Sequence, residues 1–494
     1  MRMIHNHLKV LLVVFMFVSG FVTTHVIAAE KNRLTIYQVM QRVFERYPSL
    51  KISELQVSQA AEQRKQIESQ LGWVLNSTAG VSHDLTGLGT PSDSFDVNGT
   101  LSRTLKSGSS LSLSGGYRYE DSSLAFSPLL PNPAQTTKLD LNYRIPLAQG
   151  NENLLYQEGL ISADSGLELA KANQTITRIN LAEQVKNIFY SLSSTHAKLV
   201  NASDAVTRAK KLEKFIYQNF KLGLAEEKDR LQVKAQLRSK LAELSALELV
   251  WQQQKTVINR LMLEEWQSEF QPVFTSHKNR EYDLNHTLHQ VKMFHPSLRI
   301  SQAQIEIADS KIDSARDSKK DNFDLVLSVG ARTSDGDNAT TSVSERDWAG
   351  AVRFEYQHLF DDKGVSSKYK QAQLEKNIAL QELKIANDDI EYTTSGLISE
   401  IKVAKLAVET AKQKLESESN KLKEALQRIR IGRADTDQFI QFQNEFSFAE
   451  LSYQIQKLEL SNRIIALQIY SGELWSEFDN ITERKAANLQ GVSP

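Results

Sequence analysis

Residues 47–53 read Tyr-Pro-Ser-Leu-Lys-Ile-Ser, and residues 295–301 read His-Pro-Ser-Leu-Arg-Ile-Ser. Each copy opens a stretch of about 25 residues in which polar and apolar side chains mix as they do on an amphipathic helix. Similar segments that recur in one chain are the sign of an internal duplication. The pair therefore predicts two related halves, each with a helix that begins near the proline.

Two further pairs of segments follow in the same order. They are 141–147 with 354–360, which lead to Gly150 and Gly364, and 221–225 with 430–434, which contain Gly223 and Gly432. Three matched landmarks divide the chain into repeat 1 (30–265) and repeat 2 (285–475), joined by a polar linker (266–284). We expect the polar residues 476–494 to form a flexible tail.

Glycine-rich regions with alternating polar and apolar residues lie in both halves. Thirteen of the 21 glycines fall in 72–150 and 330–364, where we predict strands between 73 and 147 and between 322 and 360. The alternation is clear in 137–145, where Leu139 and Leu141 face away from Lys138 and Asp140. Repeat 1 contains four strand candidates (74–86, 94–105, 109–120 and 136–146), and repeat 2 contains two.

The alternating strands are compatible with two kinds of sheet. A sheet packed on a soluble core alternates in the same way as a membrane barrel. Two details favour the barrel: charges on the polar face, as in a water-filled lumen, and aromatic residues near strand ends, as in the girdles at membrane interfaces. The girdle candidates are Trp73, Tyr117, Tyr119, Trp348 and Tyr356.

Two very long helices carry apolar residues seven positions apart. A continuous helix from Gly150 to Gly223 would reach roughly 110 Å, and one from Gly364 to Gly432 roughly 100 Å. Their seams predict coiled-coil packing against neighbouring helices. The seam residues are Val185, Leu192, Leu199 and Val206 in the first helix and Ile401, Val408, Leu415, Leu422 and Ile429 in the second.

The first 29 residues have the pattern of a secretory signal peptide. Arg2 and Lys9 supply positive charge, and residues 10–18 form an apolar run that is too short for a resident membrane helix. Ala28 and Ala29 suit a cleavage site. The alternative is an uncleaved N-terminal anchor. After export, the mature chain would be either soluble or inserted as a barrel.

Composition excludes several classes of protein. There is no cysteine among the 494 residues, and 59 basic residues balance 60 acidic ones. Disulfides, thiol nucleophiles and zinc–thiolate sites are thereby excluded, and the balanced charge gives no sign of a nucleic-acid partner. No glycine-rich phosphate loop precedes a helix, and His286, His289 and His295 lack metal-site spacing. We therefore expect neither an enzyme nor a cofactor.

With its duplicated halves, strands and long helices, the chain resembles the TolC family of outer-membrane efflux and type I secretion channels. The motifs that carry the resemblance are weak singly, but their order covers nearly the whole mature chain. Pro48-Ser49-Leu50 and Pro296-Ser297-Leu298 resemble the family's "P-x-L" helix start. Ile145-Pro146-Leu147 resembles its "Q-P-L" strand end, whereas repeat 2 has Gln357-His358-Leu359 there and lacks the proline.

The glycine turns also resemble the family's "G-x-x-S-x-x-D-V-L" tip at the periplasmic end. Gly223 is followed by Asp229, and Gly432 by Phe439-Ile440. Glu226 and Asp435 stand in the serine positions, and Gln438 replaces the aspartate in repeat 2. The turns of this chain therefore keep the spacing of the tip motif but only part of its side chains.

The resemblance implies an α+β membrane protein that forms a homotrimer. Each protomer would give strands to one barrel in outer-membrane lipid and helices to one coiled-coil tunnel across the periplasm. A periplasmic adaptor and an inner-membrane transporter would be its partners. The family's usual share is four strands per protomer, so the six candidates either widen the barrel wall by a hairpin or place a pair outside the membrane.

The two tip turns are the candidate functional sites. In a trimer their carboxylates would form rings that attract cations, although acidic residues also favour a solvated helix start. The gate and selectivity candidates are Glu226, Asp229, Asp435 and Asp437. The adaptor-docking candidates are Gly223, Leu224, Ala225, Gly432, Arg433 and Ala434. The alternative function is a periplasmic coiled-coil scaffold or adaptor without a pore.

Overall fold

The computed structural model describes residues 33–85, 91–122, 132–273, 280–337, 341–430 and 435–475. The predicted signal peptide, the predicted tail and the tip residues Gly432, Arg433 and Ala434 lie outside these ranges. The helices of the described residues are α1 (Ile36–Arg46), α2 (Pro48–Ser69), α3 (Leu154–Lys221), α4 (Glu227–Leu261), α5 (Leu284–Phe294), α6 (Pro296–Asp317), α7 (Lys363–Arg430) and α8 (Thr436–Ser471).

Six long strands form the sheet: β1 (Val74–Leu85), β2 (Pro91–Thr104), β3 (Ser110–Ser122), β4 (Ala134–Pro146), β5 (Asn322–Asp337) and β6 (Ser342–Gln357). They pair in the order β1-β2-β3-β4-β5-β6, and every pair is antiparallel. The β4–β5 pair joins the strands of the two repeats from Ala134 opposite Gly336 to Pro146 opposite Asp324. A separate pair of two-residue strands links Arg33–Leu34 with Gln271–Pro272.

The duplication extends to the lengths of the helices. Helices α1 and α5 both have 11 residues, α2 and α6 both have 22, and α3 and α7 both have 68. Helices α4 and α8 have 35 and 36. The predicted order of helix, strands, long helix, turn and second long helix is thus present in both halves. At 1.5 Å per residue, α3 and α7 are each about 100 Å long.

The repeated proline is the boundary between two helices. Tyr47 and His295, which precede the prolines, are extended with ψ of 126°, because a following proline disfavours the helical conformation. Pro48 and Pro296 then begin α2 and α6, where a missing N–H costs nothing. The repeated proline predicts these helix starts, whereas no sequence signal predicted the short helices α1 and α5 that end there.

By contacts, the chain divides into two compact units. The sheet unit comprises 51–176 and 296–389, and the helical unit comprises the described parts of 1–50, 177–295 and 390–494. Inside the sheet unit, the Gly150 N–H donates to the buried Asp317 carboxylate at 2.8 Å, which ties the segment after β4 to the end of α6. Two ion pairs also join α6 to α7: Lys311 with Glu375, and Asp309 with Lys376.

The main core lies in the helical unit. It is formed by α1, α3, α4, α8 and the residues that flank them, and its fully buried members include Val39, Met40, Val43, Val185, Leu192, Ile258, Met262 and Leu474. Of the predicted seams, Val185, Leu192, Val206, Ile401 and Ile429 are buried, and the other four residues are half-buried. None of the helices in the described ranges combines the length and apolar character of a membrane span.

Candidate functional site: the faces of the sheet and the helical tips

One face of the six-stranded sheet is apolar from edge to edge. The register places Leu101, Leu113, Leu141 and Val329 in one row across four strands. Apolar side chains on this face are exposed, among them Val81 (83%), Trp348 (82%) and Val352 (66%). An exposed apolar face of this extent is unusual on a water-soluble surface and marks a contact with lipid or another protein.

The opposite face of the sheet is polar and carries both signs of charge. Lys138 stands opposite Arg332, and Asp140 follows two positions along β4. The guanidinium of Arg144 forms an ion pair with the buried carboxylate of Asp324. Apolar and charged faces on alternating residues are the pattern of a membrane barrel with a polar interior.

All five girdle candidates lie on the apolar face. Trp73 directly precedes β1, with the Arg103 guanidinium 5.7 Å from its ring centre, and Tyr356 is next to last in β6. Tyr119 of β3 lies level with Ser344 of β6 across the sheet. Because Ser344 is twelve residues before Tyr356, Tyr119 and Tyr356 are about 40 Å apart along the strand direction.

Two girdle candidates lie farther from strand ends than predicted. Trp348 is in the interior of β6 and Tyr117 in the interior of β3. The reason is that β6 already begins at Ser342 and β3 runs on to Ser122, through polar residues that the alternation of apolar residues did not reveal. A girdle role for the five residues stays a prediction.

The first tip is a glycine-ended helix followed closely by a new helix. Gly223 has φ of 72°, a left-handed conformation that glycine adopts without strain. The Gly223 N–H donates to Phe220 O at 3.0 Å and the Leu224 N–H to Asn219 O at 2.8 Å, which is the Schellman pattern at a helix end. The three-residue signal Gly223-Leu224-Ala225 therefore marks the real end of α3.

The acidic residues of this tip are engaged in local contacts at the start of α4. Asp229 accepts a hydrogen bond from the Glu226 N–H at 3.2 Å. Glu227 accepts from Arg230 Nε at 2.7 Å, and this bond lowers the pKa of the Glu227 carboxyl. Lys228 Nζ is 3.2 Å from Glu226. Sequence reasoning identified the carboxylates and missed their basic partners.

The two tips pack side by side. A cluster from all four long helices, here called the tip cluster, consists of Leu212, Ile216, Val233, Ala425, Ile429, Phe439 and Ile440. The Glu226 carboxylate raises the pKa of Lys228, and Asp435 at the start of α8 raises it further. The structure thus brings Glu226, Asp229, Asp435 and Asp437 to one end of the helical unit. That these four carboxylates face a lumen stays a prediction.

Next to the tip cluster lies an open groove between α7 and α8. Its volume is about 270 Å³, and Phe439 and Phe442 line it together with Lys421, Glu424 and Arg428. Apolar rings with charged neighbours suit contact with another protein better than a small polar ligand. Within the described residues, no group of three or more side chains is arranged to hold a metal ion.

A second groove, of about 630 Å³, lies farther along the helical unit. Its lining includes His196, Tyr453 and Ser461. The His196 ring lies 5.1 Å from that of Trp251, and burial lowers its pKa. On the same helix, burial and a hydrogen bond to Glu459 raise the pKa of Tyr190 to about 12. No sequence signal marked this groove, because its residues come from distant segments.

Comparison with known proteins gives matches in structure only. The sequence matches no family model, and no curated protein is similar to it in sequence. Three solved structures resemble the fold, and each match covers 88% of this chain. The outer-membrane channel OprN matches with a TM-score of 0.65 and 14% identity over 89% of its own chain. The outer membrane protein VceC of Vibrio cholerae matches with a TM-score of 0.63 and 13% identity over 96% of its chain, and the Campylobacter jejuni CmeC outer membrane channel with a TM-score of 0.60 and 15% identity over 85% of its chain.

These matches cover most of both chains in each pair. At identities of 13–15%, they establish the fold. The chain therefore has the fold of these outer-membrane proteins, and the resemblance predicted from its duplicated motifs is confirmed at that level.

Proposed function

We propose that this chain is the outer-membrane exit duct of a tripartite efflux or type I secretion system. It works as a homotrimer whose sheets lie in outer-membrane lipid and whose long helices extend into the periplasm. The observation that carries the proposal is the six-stranded sheet, with an exposed apolar face and a charged face on alternating residues. Lipid covers the first face, and the second lines a water-filled passage.

The long helices support a duct rather than a pore confined to the membrane. Helices α3 and α7, at about 100 Å each, are several times longer than the hydrocarbon core of a bilayer, which is about 30 Å thick. Their apolar seams leave half-buried residues such as Leu199, Val408 and Leu415 for packing against neighbouring copies.

The tips are the proposed gate and docking end. Four carboxylates and the tip cluster converge there, and a groove with two phenylalanines opens beside them. A periplasmic adaptor binds at this end, and an inner-membrane transporter supplies the energy, since this chain has no nucleotide-binding loop in its sequence. The chain itself is a passive conduit and not an enzyme.

The proposal is tested with the mature protein extracted from outer membranes in detergent. Mass measurement and negative-stain electron microscopy should show a trimeric particle well over 100 Å long, on the helix rise, with detergent around one end. Planar bilayers should show discrete conductance steps. A water-soluble monomer or dimer without a detergent belt would refute the channel and favour the periplasmic scaffold.

A further inference from the structure

Resting on the proposed trimeric channel, we infer that β1 of each copy pairs with β6 of the next, and that three copies close a barrel of eighteen strands. The family resemblance implies four strands per protomer and hence twelve. This chain contributes six, in one sheet. The interaction surface is the pair of sheet edges, and the partner is a further copy of this chain.

The additional hairpin is part of the same sheet. Strands β1 and β2 pair over twelve residues without a break, from Val74 opposite Ser102 to Leu85 opposite Pro91. Strand β2 in turn pairs with β3 from Ser92 opposite Ser122 to Thr104 opposite Ser110. A hairpin outside the membrane wall would not have to pair with β3 along almost its whole length, as β2 does.

The apolar face also continues over the additional hairpin. Leu75 and Val81 of β1 are 70% and 83% exposed, and Phe95 and Val97 of β2 follow them on the same face. The polar face continues as well, with Asp96 and Asn98 bonded to each other at 3.0 Å. Both faces of β1 and β2 therefore have the composition of the barrel wall.

The two edges of the sheet lack three of the features that usually prevent pairing, namely short length, lysine and proline. Within the described part of the chain, β1 and β6 each have a single neighbouring strand. They are 12 and 16 residues long, and neither contains lysine or proline. Soluble proteins keep edge strands short or place lysine, proline or a bulge on them, because an open edge is a template for another strand.

Geometry makes a second copy the fitting occupant. Six strands are too few to surround a lumen, since even eight leave room only for side chains. An even number of alternating strands means that β1 and β6 run in opposite directions. Strand β6 of one copy thus meets β1 of the next antiparallel, and the apolar faces join when the register aligns Val81 with the face of Trp348 and Val352.

The consequence is a wide passage through the membrane. Barrel diameter grows roughly linearly with the number of strands, so eighteen strands give about 1.5 times the diameter of twelve. Barrels of 16–18 strands leave an open aqueous channel. In this chain, restriction of the solute by size then falls to the helical tips and not to the barrel.

Disulfide cross-linking of the full chain in the outer membrane tests the edge contact. The natural chain has no cysteine, so every cross-link comes from the introduced pair. Val81→Cys is combined in turn with Trp348→Cys, Gly350→Cys, Val352→Cys and Phe354→Cys, which share its face. Ala351→Cys and Arg353→Cys, on the opposite face of β6, are the matched controls.

We expect at least one same-face pair to give a covalent trimer after oxidation and boiling in detergent, and the controls to give none. Trimers in which Leu113→Cys on β3 cross-links to β6 of the next copy, while no Val81→Cys pair does, would overturn the eighteen-stranded barrel and leave the channel standing. Trimers without any β1–β6 cross-link would also overturn it. A protein that is not trimeric in mass would instead refute the proposed function.

Discussion

Gly472 at the end of α8 combines a left-handed backbone conformation with a close contact to an aromatic ring. Its φ is 82°, and an added Cβ would lie 2.3 Å from the Phe294 ring. A left-handed conformation costs other residues about 1–2 kcal/mol, and the ring would also have to move. We therefore expect Gly472→Ala to lower the melting temperature, measured by far-UV circular dichroism.

Gly396 is the matched control for this prediction. It lies inside α7, is exposed, and has no atom within 4 Å of an added Cβ. Alanine is favoured over glycine inside a helix by about 0.5–1 kcal/mol, so Gly396→Ala should raise the melting temperature slightly. Shifts of the same sign in both variants would contradict this account of Gly472.

The half-buried His196 makes the helical unit sensitive to acid. Burial lowers its pKa in the folded state, so below the ordinary value of 6.5 the unfolded chain binds the proton more readily. The stability that neutral His196 contributes is complete above that value and is lost as pH falls through the lowered folded pKa. Between pH 7 and pH 5, His196→Gln should lose less stability in chemical unfolding than the natural chain does.

His289 provides the comparison, because its side chain is exposed on α5. We expect His289→Gln to follow the natural chain across the same pH range. If the two variants respond alike, the acid sensitivity does not come from burial of His196.

At the scale of elements, the start of α4 separates two roles of Asp229. Its carboxylate accepts the Glu226 N–H at 3.2 Å and would also belong to the proposed ring of charge. Asp229→Asn keeps a hydrogen-bond acceptor but removes the charge, whereas Asp229→Ala removes both. Loss of such a helix-start contact costs about 0.5–2 kcal/mol.

We therefore expect Asp229→Ala alone to be destabilising, and Asp229→Asn combined with Asp435→Asn to lower cation preference in bilayer recordings. Reversal potentials in a salt gradient measure that preference. If it does not change, these carboxylates lie off the lumen and serve only to begin the helices.

Substitutions of Gly223 test whether the first tip has a docking role. Nothing lies within 4 Å of an added Cβ, but its φ of 72° strains most side chains. Asparagine tolerates this conformation, so Gly223→Asn should preserve the hairpin and export. Gly223→Trp combined with Gly432→Trp should abolish export, because bulky side chains there would keep the proposed adaptor from docking. Trimers should persist in both, and normal export in the double variant would remove the docking role.

The elements that sequence predicts well are those with local signals. Alternation in 137–145 located β4, and the residues seven apart in α3 and α7 located helices that begin and end within four residues of the predicted glycine limits. The short helices α1 and α5 were not predicted, because the proline that follows each of them indicates a helix start as readily as a helix end.

Contacts between distant residues could not be predicted from sequence. Arg144 and Asp324 pair across 180 positions, and that pairing of β4 with β5 is what makes six strands one sheet. The tip cluster likewise joins Val233 to Ile440, which no period in the sequence indicates. The local partners Lys228 and Arg230 were visible in the sequence, but their conformations depend on how α4 begins.

For the whole molecule, the compact units cut across the repeats. Helix α3 gives residues 154–176 to the sheet unit and 177–221 to the helical unit, and α7 divides in the same way at 389. Each unit therefore needs segments from both repeats, and neither repeat alone completes a unit. The duplication sets the order of elements along the chain, whereas each compact unit is packed from segments of both repeats.

The proposed channel predicts where resistance to current should lie. Parts of a conduit in series add their resistances, so the narrowest part controls the current, and the proposed eighteen-stranded barrel would leave that part at the tips. Phe439→Ala removes a buried ring of the tip cluster, so the tips should part more easily and single-channel conductance should rise several-fold. Lys138→Ser, on the polar face of the sheet, should change conductance little.

The control for loss of packing is Leu192→Ala. Leu192 is fully buried in the main core of the helical unit and outside the tip cluster, and deletions of this size cost about 2–5 kcal/mol in either place. We expect this variant to be less stable but to conduct normally. A large effect of Lys138→Ser, with none from Phe439→Ala, would place the constriction in the barrel and would contradict both the gate at the tips and the wide barrel.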